Sequence, residues 1–332
     1  MFRYPPRNDP ADAVQVRWAT PADQPEMDAL YAQVFGAETL AALQLRRAWQ
    51  YEQNPFASRP DVLVASAAGR VAGQTCGIPV PLLIDGVRQP AAFGCDTLVH
   101  AEWRRRGIAS QLVVAWETLG EHEVTLGLGS APFQRQLLLK HGYRTVGQVT
   151  GYVWRGTAGP AGPGAVSVTS LDPTDERLDR LFMQAGPSFA ALVRRDRAWV
   201  TWRFARWPTP RYALYGALRD GQLVGYSVLR PTPRQGGTML LVDWLAHPED
   251  AEALAALIAH ACNRSGAQGT TGVFAFASER RLCAALRTAG FQQRPDYAAD
   301  LLVGGREGKS MTLPSLDAWH LSLGDSDIDR PP

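Results

Sequence analysis

WRRRGIASQL, residues 103–112, sets three consecutive arginines against a glycine and a small residue where an apolar helical pattern begins. Upstream, FGCDTLVH (93–100) reads as a strand, and downstream Ile108, Leu112, Ala115, Trp116 and Leu119 recur at helical spacing. The stretch is thus a strand-to-helix junction of the form Arg104-x-x-Gly107-x-Ala109. Gly107 lets the backbone turn tightly or approach a ligand, Ala109 leaves the helix start uncrowded, and the first-turn N–H groups have no partner within the helix. Free amides, the positive end of the helix dipole and flanking guanidinium groups together favour a diphosphate over any neutral ligand.

A basic triplet on its own reads more simply as a solvated run or a nucleic-acid contact. The rest of the chain argues against both. Its 332 residues carry a formal charge of only +2, so there is no general field for nucleic acid or an anionic membrane. No aromatics interleave with the arginines. A dinucleotide-binding Rossmann fold is excluded too, because GxGxxG and an acidic ribose ligand about twenty residues later are both missing. With 45% apolar and 20% charged residues the chain is globular, and its length favours two domains. Cys76, Cys95, Cys262 and Cys283 sit in apolar runs without CxxC spacing, which predicts buried thiols in a reducing compartment and no zinc site. The six histidines show no metal-ligand spacing. MFRYPPRNDPADAV lacks the apolar core of a signal peptide, and no run reaches the length of a membrane span; the expected location is the cytoplasm.

Working outward from the junction, VQVRW (14–18) reads as a strand, EMDALYAQVF and LAALQLRRAWQY as helices, and DVLVASAAGRVAGQTCGIPVPLLIDGVRQPAAFGCDTLVH as a three-stranded antiparallel meander with AAGR and IDGVRQ turns. Beyond it come a strand (VTLGLG), a helix (FQRQLLLKHG) and a closing hairpin (YRTVGQVTGYVW). GTAGPAGPGA (156–165) is the natural linker. Past it the order repeats: AWQYEQNP (48–55) is echoed by AWVTWRFARWP (198–208), VASAAGRVAGQTCGIPVP by YGALRDGQLVGYSVLRP, and KHGYRTVG by TAGFQQRP. The predicted organisation is α/β, a domain over 1–156, a linker over 157–165, and a second copy over 166–332. Where the second copy should carry the anion loop it reads VDWLAHPEDAEALAAL (242–257), with no glycine at the turn; Glu249, Asp250 and Glu252 suit a helix start but repel a diphosphate.

The junction resembles motif A of the GNAT superfamily of acyl-CoA N-acyltransferases, whose pattern is (Arg/Gln)-x-x-Gly-x-(Gly/Ala) after the fourth strand. LVHAEWRRRGIASQL sits in the expected context, HGY (141–143) before a closing strand is similar to the family's ending, and residues 14–155 follow its element order. The resemblance implies two GNAT-like domains, each a mixed, mostly antiparallel central sheet flanked by helices. It implies acetyl-CoA or another acyl-CoA as co-substrate, bound at Arg104, Arg105, Arg106, Gly107, Ile108, Ala109 and Ser110. The oxyanion donor then maps to the N–H of Leu98 or Val99. Asp96 is the best-placed carboxylate to take the amine proton, and equally reads as a hydrogen-bonded structural aspartate. Many members protonate the thiolate with a tyrosine four residues before the closing glycine; here Leu138 holds that position, and Leu286 its counterpart. Ser130 is a candidate hydrogen bond to the sulfur, or a cap for the next helix.

Trp199, Trp202, Trp207, Tyr212, Tyr215 and Trp244 read mainly as core, with an aromatic acceptor cleft as the alternative. The tail WHLSLGDSDIDRPP ends in aspartates that are either solvated or, for Asp325 and Asp327, positioned to attract an amine. The leading expectation is acyl transfer from the CoA thioester to a primary amine of a small molecule in a ternary complex. The alternatives are a catalytically weak CoA-binding or regulatory protein, and a Fem-type transferase using charged tRNA, against which the lack of basic surface argues.

Overall fold

The structure is a computed structural model that describes residues 13–156, 159–160, 162, 164–206, 212–232, 237–305 and 312–326. In the first half, β1 (Gln15–Trp18) leads to α1 (Gln24–Phe35) and α2 (Leu40–Arg47). The meander follows as β2 (Val62–Ala67), β3 (Arg70–Ile84) and β4 (Val87–Val99), then α3 (Ile108–Leu119), β5 (Val124–Leu128), α4 (Pro132–Lys140) and β6 (Arg144–Arg155). The hairpin turns are set by residues that tolerate a left-handed backbone: Ala68-Gly69 and Asp85-Gly86 both have positive φ at the two central positions. Alternation along β2 then fixes its two faces. Val62 and Val64 fall in the same apolar cluster as Met27, Leu30 and Leu43 of α1 and α2, whereas Leu63, Ala65 and Ala67 fall in a second cluster with Ile108, Leu112 and Trp116 of α3.

The second half repeats this order: β7 (Ser167–Ser170), α5 (Arg177–Ala185), a short β8 (Ala191–Val193), α6 (Arg197–Val200), β9 (Ala213–Arg219), β10 (Gln222–Thr232), β11 (Thr238–Ala246), α7 (Ala251–Ala267), β12 (Gly272–Ala277), α8 (Arg280–Thr288) and β13 (Gln292–Gly305). A last strand, β14 (Trp319–His320), pairs with β8. Asp220-Gly221 turns β9 into β10 as Asp85-Gly86 turns β3 into β4.

All strands belong to one mixed, mostly antiparallel sheet, running β1-β2-β3-β4-β5-β13-β6-β12-β11-β10-β9-β7, with β8 attached to the far end of β3. The expected closing hairpin at 143–154 is instead the single strand β6, which pairs with β12 on one side and β13 on the other. The two halves have exchanged their last strands: β13 lies between β5 and β6, so the second half completes the sheet of the first. The core is correspondingly continuous, one apolar cluster reaching from Met27 in α1 to Leu323 near the end of the described chain.

The halves also interlock at one tryptophan pair. A π-helical turn follows α2 at Ala48–Glu52, and another follows α6 at Thr201–Ala205. Trp49 and Trp202 stack with centroids 4.9 Å apart, and each indole N–H donates to the other's carbonyl, at 2.7 and 3.2 Å. The repeat thus pairs Trp49 with Trp202, not with Trp199 as the aligned AW dipeptides suggest. Trp199, Trp202 and Trp244 are fully buried, so they serve as core; Trp207 lies outside the described residues.

Candidate active site

β4 and β5 run parallel but pair only where Ala91–Phe93 meets Val124–Leu126. Past that point β4 continues to Val99 without its neighbour, and the two strands open a wedge. The departure begins at a bulge, where Asp96 adopts φ +47° and the β3–β4 register shifts opposite Thr75. Beyond the bulge the strand is regular. His100 N–H donates to Ala72 of β3 at 2.9 Å, so alternation turns the Leu98 amide toward β3 and those of Thr97 and Val99 toward the wedge. Of the two oxyanion candidates, only Val99 presents its N–H to the open side.

The loop after β4 places the anion motif at the wedge's mouth. Arg105 (φ +64°) and Gly107 (φ +80°) are both left-handed, and Gly107 is the residue that starts α3. A Cβ on Gly107 meets nothing within 4 Å, so what demands glycine here is the backbone angle and the approach of a ligand, not crowding by protein. The amides of Ile108, Ala109 and Ser110 begin the helix. These residues line one cleft of about 520 Å³ with Thr97, Leu98, Val99, Arg104, Arg105, Gly107 and, from α1 and α4, Val34, Phe133, Gln134 and Leu137. Eight of the nine residues expected at the coenzyme are therefore brought together. The ninth, Arg106, folds over the Trp103 ring at 4.7 Å. Arg104 donates from Nε to the Val99 carbonyl at 3.2 Å and so ties the loop to the strand end. An apolar trough ending at bare helix-start amides fits a long thiol arm with a diphosphate at its far end.

Asp96 points to the opposite face of β4. Its Oδ2 accepts from Arg46 Nη2 at 2.6 Å and from the Tyr51 hydroxyl at 2.8 Å. The Arg46 and Asp96 side chains are 7% and 3% exposed, and burial above all pushes the Tyr51 phenol up. The second half repeats this chemistry. Asp243, at the bulge of β11, is bonded by Arg195 at 3.0 Å, by the Tyr226 hydroxyl at 2.5 Å and by Ser322 at 2.6 Å. The arginines and tyrosines come from non-equivalent positions, yet both aspartates are neutralised alike.

Ser130 follows β5 and makes no hydrogen bond among the described residues; the N-cap of α4 is Ala131, so the expected capping role is not realised. Leu138 is buried with Val113, Tyr143 and Leu302, at the position where a tyrosine was sought. Asp325 corrects the reading of the tail. It is fully buried, paired to Arg195 at 2.6 Å and to the Ser322 amide at 2.7 Å, and does not line the cleft. A carboxylate so engaged does not serve an incoming amine. Asp327 lies outside the described residues.

In the second half, β11 and β12 part in the same way after Met239–Leu241 and Val273–Ala275. There the helix start is closed: Asp250 caps α7 by accepting from Ala253 N–H at 3.0 Å, and Arg219 grips the same carboxylate at 2.8 Å with both Nη atoms. A side-chain anion already fills the place an external one would take. The site residues that sequence reasoning missed are the α4 wall (Phe133, Gln134, Leu137) and the Arg46–Tyr51 pair. Only the apolar spacing of α4 hinted at the first, and nothing local to Asp96 signals the second.

Residues 15–146 match the family model described as acetyltransferase (GNAT) domain. None of the curated proteins matches the chain. Among solved structures, it is similar to a GCN5-related N-acetyltransferase from Anabaena variabilis ATCC 29413, with TM-score 0.70, 14% identity, and 88% of this chain and 72% of that one covered. A conserved protein of Enterococcus faecalis V583 described as a probable N-acyltransferase gives TM-score 0.67 at 16% identity, covering 89% and 73%. A GCN5-related N-acetyltransferase from Kribbella flavida gives 0.66 at 17% identity, covering 88% and 71%. Residues 15–146 thus resemble a GNAT acetyltransferase domain, and across most of its length the chain has the fold seen in GCN5-related N-acetyltransferases.

Proposed function

We propose that the protein is an acyl-CoA-dependent N-acyltransferase, with acetyl-CoA as donor and a primary amine as acceptor, and with one coenzyme site per chain. Residues 1–156 supply that site, 157–165 link, and 166–332 form a second copy that has lost coenzyme binding. The observation that carries the reading is the left-handed Gly107 at the start of α3, whose following amides line the same cleft as the unpaired end of β4.

Acyl-CoA, once bound, supplies a thioester carbonyl open to attack by an amine. The amides of Ile108, Ala109 and Ser110, with Arg104 and Arg105, hold the diphosphate end. The Val99 N–H donates to the carbonyl oxygen as it gains negative charge. The apolar trough keeps water from the thioester. Leu138 supplies no proton to the departing sulfur, and a thiol with a pKa of about 8.5 leaves without one. Asp96 is not the base in this reading. A carboxylate already neutralised by a buried arginine is a weak proton acceptor, and the half without a coenzyme loop keeps the same arrangement at Asp243. Its task is to hold the left-handed bulge that opens the wedge.

The buried free thiols suit a reducing compartment, and no helix among the described residues is long and apolar enough to cross a membrane; both support a cytoplasmic location. The test is thermal shift with acetyl-CoA, followed by thiol release with a panel of amines. Stabilisation and release are expected. Stabilisation without release favours the coenzyme-binding protein that Leu138 suggests, and no stabilisation removes both readings.

A further inference from the structure

We infer that His141, at the end of α4, is a positioning residue for the coenzyme's diphosphate: its ring donates to the Ser110 hydroxyl and so turns the hydroxyl's own hydrogen toward the phosphate. The inference rests on the transferase reading and adds to that site a residue that acts on the ligand only through another.

Ser110 occupies the third position of α3 and lines the cleft. Its hydroxyl lies 2.7 Å from His141 Nε2. The end of α4 carries the ring there. The His141 N–H donates to the Leu137 and Leu138 carbonyls at 3.2 and 3.0 Å, and Gly142, at φ +86°, reverses the chain into β6. Leu138 and Tyr143, on either side of this turn, are buried in one small cluster with Val113 of α3. Val113 lies one helical turn beyond Ser110, on the same face. The face of α3 that meets α4 therefore begins at the Ser110 hydroxyl.

The bond between the two side chains can run in either direction, and a diphosphate selects one of them. When Ser110 donates to the ring, only its lone pairs are left for phosphate oxygens, which accept and do not donate. When Nε2 carries the proton and donates, the serine hydrogen is free for the phosphate. Without such a partner, a helical hydroxyl turns back on its own helix, as Thr118 does when it donates to the Val114 carbonyl at 2.8 Å.

The second half provides the comparison. After α8 it makes the same turn, with Gly290 at φ +87° between Ala289 and Phe291, where the first half has His141 and Tyr143. Because α7 starts at Ala251 as α3 starts at Ile108, Ala253 stands in the place of Ser110. Both partners are thus alanine in the half whose helix start is closed by Asp250, which itself accepts from the Ala253 N–H. Helix packing does not require the pair, since α7 and α8 pack together without it.

The experiment is calorimetry with acetyl-CoA on wild type, Ser110→Ala, His141→Ala, the double variant and His141→Gln, with circular dichroism to verify the fold. Each single alanine variant is expected to weaken binding by about tenfold, and the double variant no more than either. His141→Gln, whose amide N–H donates from a similar place, is expected to recover most of the wild-type affinity. Undiminished binding in Ser110→Ala or His141→Ala, losses that multiply in the double variant, or a His141→Gln protein weakened tenfold overturns the inference. Ser110→Ala and His141→Gln decide it even where His141→Ala does not fold. A wild type that binds no acetyl-CoA overturns the transferase reading, and the inference with it.

Discussion

Asp96, which the sequence leaves open as a base or as a hydrogen-bonded structural aspartate, is engaged in space by Arg46 and Tyr51. Its left-handed backbone costs on the order of 1–3 kcal/mol, which the bonds from Arg46 and Tyr51 offset. Asp96→Ala is expected to leave the Arg46 guanidinium buried and unpaired, and to lower stability by about 3–5 kcal/mol. Asp243→Ala, which strands Arg195, is expected to cost a similar amount; denaturant unfolding of the two variants checks the match, and a stable Asp96→Ala protein lacking only turnover speaks for a base. A second buried carboxylate reports on pH. Burial pushes Asp61 up to about 6, although the Trp116 indole N–H donates to both its oxygens. The folded chain thus binds its proton more tightly than the unfolded one, so the stability it contributes is present below about pH 4 and is lost as pH rises through about 6. Asp61→Asn removes this dependence, and its stability relative to wild type is predicted to grow between those values. The opposite slope indicates that protonated His122, with Nδ1 3.6 Å from Asp61, pairs with the carboxylate instead.

Among elements, the loop and helix at 103–119 were legible because their signals are local: a positive-φ glycine, a small residue and a helical apolar period all fall within a few positions. The turns at Ala68-Gly69, Asp85-Gly86 and Asp220-Gly221 were legible for the same reason. β6 was misread as a hairpin because no local signal distinguishes a long strand with two distant partners from one that folds back on itself. The engagement of Asp325 was not legible because its partner, Arg195, lies more than a hundred residues away. The α4 wall of the cleft rests on such a contact. Arg135 Nε pairs with Asp300 of β13 at 2.5 Å, and Gln148 holds the same carboxylate at 2.8 Å. Asp300→Ala is expected to weaken acetyl-CoA binding a few-fold while costing no more than about 1 kcal/mol of stability, as befits a half-exposed pair. Calorimetry with parallel thermal melts separates this from a general loss of fold, which unchanged coenzyme affinity would also contradict.

The whole molecule repeats one order of elements in two halves that share a single sheet. Strand exchange places β13 beside β5, and one core spans both halves, so the two halves that repeat in sequence are not two bodies in space. One copy keeps an open wedge and naked helix-start amides; the other has closed both, with Asp250 at its helix and segment 319–325 across its wedge. Isothermal titration with acetyl-CoA addresses that asymmetry directly. Wild type is predicted to bind one equivalent per chain, and Gly107→Trp to bind none while retaining the wild-type circular dichroism spectrum. Two equivalents in the wild type, or undiminished binding in the variant, contradicts the account.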